Sequence, residues 1–154
     1  MRTSKKLIAA ACTGAALLMS GTPYAADSHT ITVSATVAAT CKFSAATSTV
    51  NLTLDPTATS TVSQAASVAY RCTKGTAPVF AFSSGSTGSG AGGNLVNGLE
   101  SIPYTYTTTS GGAGTGLGTG QDKTLSVNVS VNQANAADVT ANTYTDTIAI
   151  TLTP

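Results

Sequence analysis

The residues that could do chemistry are few in this chain and poorly placed to meet. His29 is its single histidine, so a serine or cysteine nucleophile has one candidate base, close to the start of the exported part. No Gly-x-Ser-x-Gly stretch occurs. Glycosidase chemistry needs two carboxyls converging in a cleft. Asp55, Glu100, Asp122 and Asp138 each stand beside turn residues, where a carboxylate caps a turn or lies on a solvated rim. Asp146 differs. It falls inside an apolar-alternating stretch on the parity of Ile148, and reads as a hydrogen-bonding group near the edge of a core. Residues 118–124 resemble a phosphate loop faintly, but Asp122 stands where glycine is needed and a strand pattern follows. Zinc would need ligands beyond Cys41, Cys72 and His29. Tyr70, Tyr104, Tyr106, Phe80 and Phe82 could stack on a sugar; at strand spacing they read as core. The chemistry-bearing residues thus argue against an enzyme and call for no metal or cofactor.

The elements around them are those of an exported β protein. Arg2, Lys5 and Lys6 precede an apolar run from 7 to 19, and Pro23, Tyr24, Ala25 and Ala26 form a processing region. Residues 1–26 read as a secretory signal. Cys12 lies inside it, with Ala9 where a lipoprotein signal would carry a branched aliphatic. The remainder, 27–154, has the length of one domain. Its charges are Lys42, Arg71, Lys74 and Lys123 against Asp27, Asp55, Glu100, Asp122, Asp138 and Asp146, a net of −2. A nucleic-acid surface needs clustered cations in excess, so that partner is not expected. Ser, Thr, Gly, Ala and Val dominate, which suits a closely packed extracellular polymer. Two cysteines survive processing, Cys41 and Cys72. An even count in an exported chain reads as a disulfide, with two free thiols as the alternative. Closing that loop would remove roughly 3.5–4 kcal/mol of unfolded-state entropy.

Residues 29–39 are the most telling stretch. Ile31, Val33, Ala35, Val37 and Ala39 fall on every second position, with Thr32, Ser34 and Thr36 between them. Such alternation marks a strand with one buried face. The same period recurs at Val50, Leu52 and Leu54; at Val68, Tyr70 and Cys72; and at Pro78, Phe80 and Phe82. It continues at Ile102, Tyr104 and Tyr106, at Leu125 to Val131, and at Tyr144, Ile148, Ile150 and Leu152. Turn-rich stretches separate these runs: Asp55-Pro56, Lys74-Gly75, residues 83–93, Asn97-Gly98 and residues 110–120. Asn97-Gly98 is expected to close a two-residue hairpin, and residues 133–139 could hold one helical turn. Short strands at this spacing predict an all-β antiparallel sandwich. About six strands follow Cys41, one fewer than the seven of an immunoglobulin-like sandwich. If the run at 30–38 does not dock on its own body, that body has an apolar groove and two unpaired strand edges.

These residues resemble the spore coat protein U domain family, which includes subunits of archaic chaperone–usher pili. The resemblance rests on four features: Cys41 directly after the alternating run; Tyr70-Arg71-Cys72-Thr73-Lys74-Gly75-Thr76-Ala77-Pro78; Ile102-Pro103-Tyr104; and the ending from Thr143 to Pro154. That ending carries Tyr144, Asp146, Ile148 and Ile150 of the family's terminal strand, with Asn142 where glycine is usual, at a position expected to be left-handed. The resemblance implies an incomplete immunoglobulin-like body at 41–154 and an N-terminal donor-strand extension at 27–40. It implies donor knobs at Ile31, Val33, Ala35, Val37 and Ala39. It also implies a periplasmic chaperone, an outer-membrane usher and neighbouring copies as partners, in a surface pilus serving adhesion and biofilm formation. The competing expectation is a self-contained secreted sandwich, its own strand docked at 30–38, that binds carbohydrate or a coat surface.

Overall fold

The computed structural model describes residues 26–84 and 92–154; the export signal expected at 1–26 lies outside them except for Ala26, as does most of the turn-rich stretch 83–93. Two units are distinguished, Met1–Ala35 and Thr36–Pro154. The described part of the first, 26–35, forms neither helix nor strand, and every residue of it is exposed.

The second unit is an antiparallel β-sandwich. Its strands are β1 (Cys41–Phe43), β2 (Thr61–Cys72), β3 (Val79–Ser84), β4 (Gly92–Asn97), β5 (Glu100–Ser110), β6 (Lys123–Asn132) and β7 (Ile148–Thr153). One sheet has the order β1-β2-β6-β5-β4, and the second consists of β3 and β7. β6 is the central strand of the larger sheet because its alternation is the cleanest. Leu125, Val127, Val129 and Val131 are all buried, at 7% exposure or less. β5 buries Ile102, Tyr104 and Tyr106 on the same side, and β2 buries Tyr70 and Cys72. The small sheet closes over this face through its aromatics. The Phe80 ring meets the edge of Tyr70 at 5.1 Å and lies 6.5 Å from Phe43, and Phe82 lies 5.8 Å from Tyr106. The five aromatics are therefore core, and the sugar-stacking reading has no exposed platform to rest on.

Cys41 and Cys72 are bonded, as expected, and are also Cα partners in the β1–β2 ladder. Asp55 caps its turn by accepting from the Thr57 amide and hydroxyl. The helical turn expected after β6 is a short 3₁₀ turn, Gln133–Ala136.

Four expectations need correction. The described residues of 41–154 carry seven strands where about six are expected, because β1 has three residues and β4 opens on two glycines, too little for a period to show. The run Val50, Leu52, Leu54 keeps its alternating half-burial, but its backbone joins no ladder. The β4–β5 hairpin turns one residue later than expected, since Asn97 pairs with Glu100 and the loop is Gly98-Leu99. Gly98 has φ +61° and Leu99 does not enter the positive region, the pattern of a II′ turn with glycine first. Asn142 is not left-handed either; its side chain accepts from the Thr143 amide instead.

Candidate functional site

A groove of about 1140 Å³ runs along the second unit. Its floor is made by the inward side chains of the large sheet: Val68 from β2, Leu95 from β4, Ile102 and Tyr104 from β5, and Val127 and Val129 from β6. These are the residues that alternation in sequence places on one face. The groove is open because the layer above it is incomplete. On one side lies the extended run 45–54, with Val50, Leu52 and Leu54 turned toward the core. Among the described residues, no backbone–backbone hydrogen bond joins 45–54 to any strand. On the other side lies the run from Thr140 to Ile150, which leads into β7. β3 covers one edge of β7, and the second edge carries no strand among the described residues. The apolar floor thus lies between a run with no ladder, 45–54, and β7, whose second edge is open among the described residues. One added strand would pair with both, and a bare pair of edges is a template for such an addition.

Two acid–phenol contacts fix the wall that precedes β7. Tyr104 Oη donates to Asp146 Oδ2 at 2.6 Å, which is the role expected for Asp146 from its parity. Burial, and then this hydrogen bond, push the Tyr104 hydroxyl above its ordinary range. Gly93 makes room for the pair, since a Cβ there would stand 2.7 Å from Tyr104 Oη and 2.8 Å from Asp146 Oδ2. The second contact is Tyr144 Oη to Glu100 Oε2. Glu100 also accepts from the Thr140 amide at 3.0 Å and the Thr140 hydroxyl at 2.9 Å. The Tyr144 hydroxyl, and then Thr140, hold the Glu100 carboxyl below the usual range. Desolvation and the facing carboxylate push Tyr144 up to about 12. Between these contacts Thr145 exchanges both backbone hydrogen bonds with Val96 of β4.

Glu100 was not legible as a wall residue. Its partners stand 40 and 44 positions away, and its own neighbourhood shows only a turn. Of the family-motif residues expected in one terminal strand, Ile148 and Ile150 lie in β7 while Tyr144 and Asp146 precede it, turned aside by their side-chain contacts, and all four line the groove. Ile31, Val33 and Ala35, in the first unit, and Val37 and Ala39, in the second, lie in no strand and are exposed. Ile31 is 78% exposed, Val33 88% and Val37 81%.

Among the described residues, no three His, Cys, Asp or Glu side chains converge on a metal site, and no helix is long and apolar enough to cross a membrane. The groove lining holds no histidine among the described residues, and its one carboxylate, Asp146, accepts from Tyr104. No curated protein and no solved structure gives a match to this chain. One family model does, the Spore Coat Protein U domain, over residues 27–151. The match spans the alternating run, the bonded cysteines and the groove wall together, and the chain belongs to the Spore Coat Protein U domain family, a family of pilus-type structural subunits.

Proposed function

We propose that this chain is a subunit of a chaperone–usher pilus that polymerises by donor-strand exchange. Residues 1–26 direct export, 27–40 form the donor extension, and 41–154 form the acceptor body. A periplasmic chaperone occupies the groove first. At the outer-membrane usher, the extension of the next subunit replaces it, and the resulting surface fibre serves adhesion and biofilm formation. The observation that carries this reading is the apolar groove between the unpaired run 45–54 and the open edge of β7. Length agrees: the run 31–39 spans roughly 30 Å when extended, and 45–54 offers a rim of about the same length. Pattern agrees too, since Ile31, Val33, Ala35, Val37 and Ala39 present one apolar face for the floor.

The test is a denaturing gel of the exported protein, unboiled and boiled, beside a variant carrying Val33→Asp and Val37→Asp. The expected result is a ladder that collapses on boiling and is missing from the variant. A single monomer band in every lane, from chains that fold alone, overturns the reading.

A further inference from the structure

The charges of the second unit are sorted to its two ends. Lys42 is the Cα partner of Arg71, and Tyr70 that of Lys123, so these three cations meet where β2 ends and β6 begins. Lys74 lies two residues past the end of β2. Asp122 is the one acid there; Arg71 Nε and Nη2 grip its two oxygens at 2.7 Å each, and Ser44 Oγ donates to it as well. The opposite end, where β2 begins and β6 finishes, is marked by the pair Thr61–Asn132. Gln133 follows directly, and its Oε1 accepts from the Asp55 amide, which brings Asp55 to that end. Asp138 comes two residues after the 3₁₀ turn. Glu100 belongs there too: with Thr105 opposite Ser130, the start of β5 reaches past the end of β6. No lysine or arginine of residues 41–154 lies at this acidic end, and the basic end keeps a surplus of positive charge after Asp122 is counted.

The point from which residues 36–40 depart belongs to the basic end. Cys41 is paired and bonded to Cys72, and the Thr40 amide donates to Thr73 Oγ1. The groove runs lengthwise between the two ends. Its rim 45–54 leaves β1 near the basic end and reaches Asp55 at the acidic one. We propose that the acidic end is the docking surface for the basic end of a second copy of this chain, and that this match sets the direction in which the extension lies in the groove. The inference rests on the donor-strand reading. Only Thr40 separates Ala39, the last donor knob, from Cys41, so the basic end must touch whichever mouth of the acceptor groove Ala39 occupies. At the acidic mouth unlike charges meet; at the basic mouth like charges meet. The first arrangement lays the extension antiparallel to β7 and stacks subunits head to tail.

The experiment compares ladder formation by the full exported chain in four forms. These are the wild type; a basic-end variant (Lys42→Glu, Lys74→Glu); an acidic-end variant (Asp55→Lys, Asp138→Lys); and the four substitutions combined. Each two-site variant leaves like charges facing each other and should form ladders on the order of tenfold more slowly. The combined chain restores opposite signs and should recover most of the rate. Wild-type assembly should also slow between about 0.01 M and about 0.15 M salt, where the screening length falls from roughly 30 Å to roughly 8 Å. The salt series needs no substitution, so a variant that fails to fold leaves the proposal exposed to refutation. Equal ladder rates in all four forms and at both salts overturn the docking surface while leaving strand exchange intact. A wild type that makes no ladder overturns both.

Discussion

β6 and the run 29–39 carry the same binary pattern and meet opposite ends. In β6, Leu125, Val127, Val129 and Val131 alternate with polar residues, and β2 and β5 cover both of its edges. Its apolar side chains are 0–7% exposed. In the extension, Ile31, Val33 and Val37 alternate just as strictly and stand 78–88% exposed, with no ladder partner. Alternation therefore specifies a half-buried strand without specifying whose sheet it completes. The run 45–54 lies between these extremes: its side chains reach the core while its backbone stays unpaired.

The largest test of this contrast is to place the same charge in both regions. Val129→Asp buries an unpaired carboxylate between two paired strands and should cost on the order of 3–5 kcal/mol, enough to abolish cooperative unfolding in a urea titration. Val33→Asp should leave that titration within about 0.5 kcal/mol of wild type and act on the ladder alone. Equal losses of monomer stability would show that the extension is part of its own body's core. Next comes the junction between the two regions. Replacing Cys41 and Cys72 by alanine should destabilise the body by roughly 3–4 kcal/mol, read as a lower urea midpoint. A smaller step is Gly93→Val, which drives a side chain into the Tyr104–Asp146 contact and should cost about 1–3 kcal/mol. It should also slow ladder formation, because that contact stands in the groove wall; a change in stability alone would separate the wall from the acceptor role.

The smallest effect is in acid. Hydrogen bonds from Arg71 and Ser44 lower the Asp122 carboxyl from 3.8 to about 2. A lowered carboxyl stabilises the fold above its unfolded value, and the benefit fades as pH falls from about 4 to about 2. Asp122→Asn should flatten that part of the stability curve, measured by thermal unfolding across pH 2–5.

The sequence made the centre of the fold legible and left its margins obscure, for a physical reason. The inner faces of β5 and β6, the end of β2 and the disulfide all announce themselves through dense alternation or cysteine count. β4 does not, because its first two residues are Gly92 and Gly93 and only Leu95 and Val96 carry an apolar signal. β1 is three residues long, too short for a period to show. The first half of β2 is hidden by Ser63, Gln64, Ala65 and Ala66, which are held by pairing with β6 and not by their own propensity. The groove follows the same rule. Its floor and the part played by Asp146 could be read from parity, since parity reports which face is buried. The missing ladder at 45–54 could not, because side-chain alternation says nothing about whether a backbone has found a partner.

The bond between Cys41 and Cys72 acquires another meaning when the chain is pulled. In a fibre of subunits joined through their extensions, tension enters each body at Thr40. β1 alone would resist with three residues of hydrogen bonding, which a steady load could open one rung at a time. The disulfide bypasses that zipper and hands the load directly to β2, whose ten-rung register with β6 then bears it in shear. The weakest strand of the sheet is thereby taken out of the line of force.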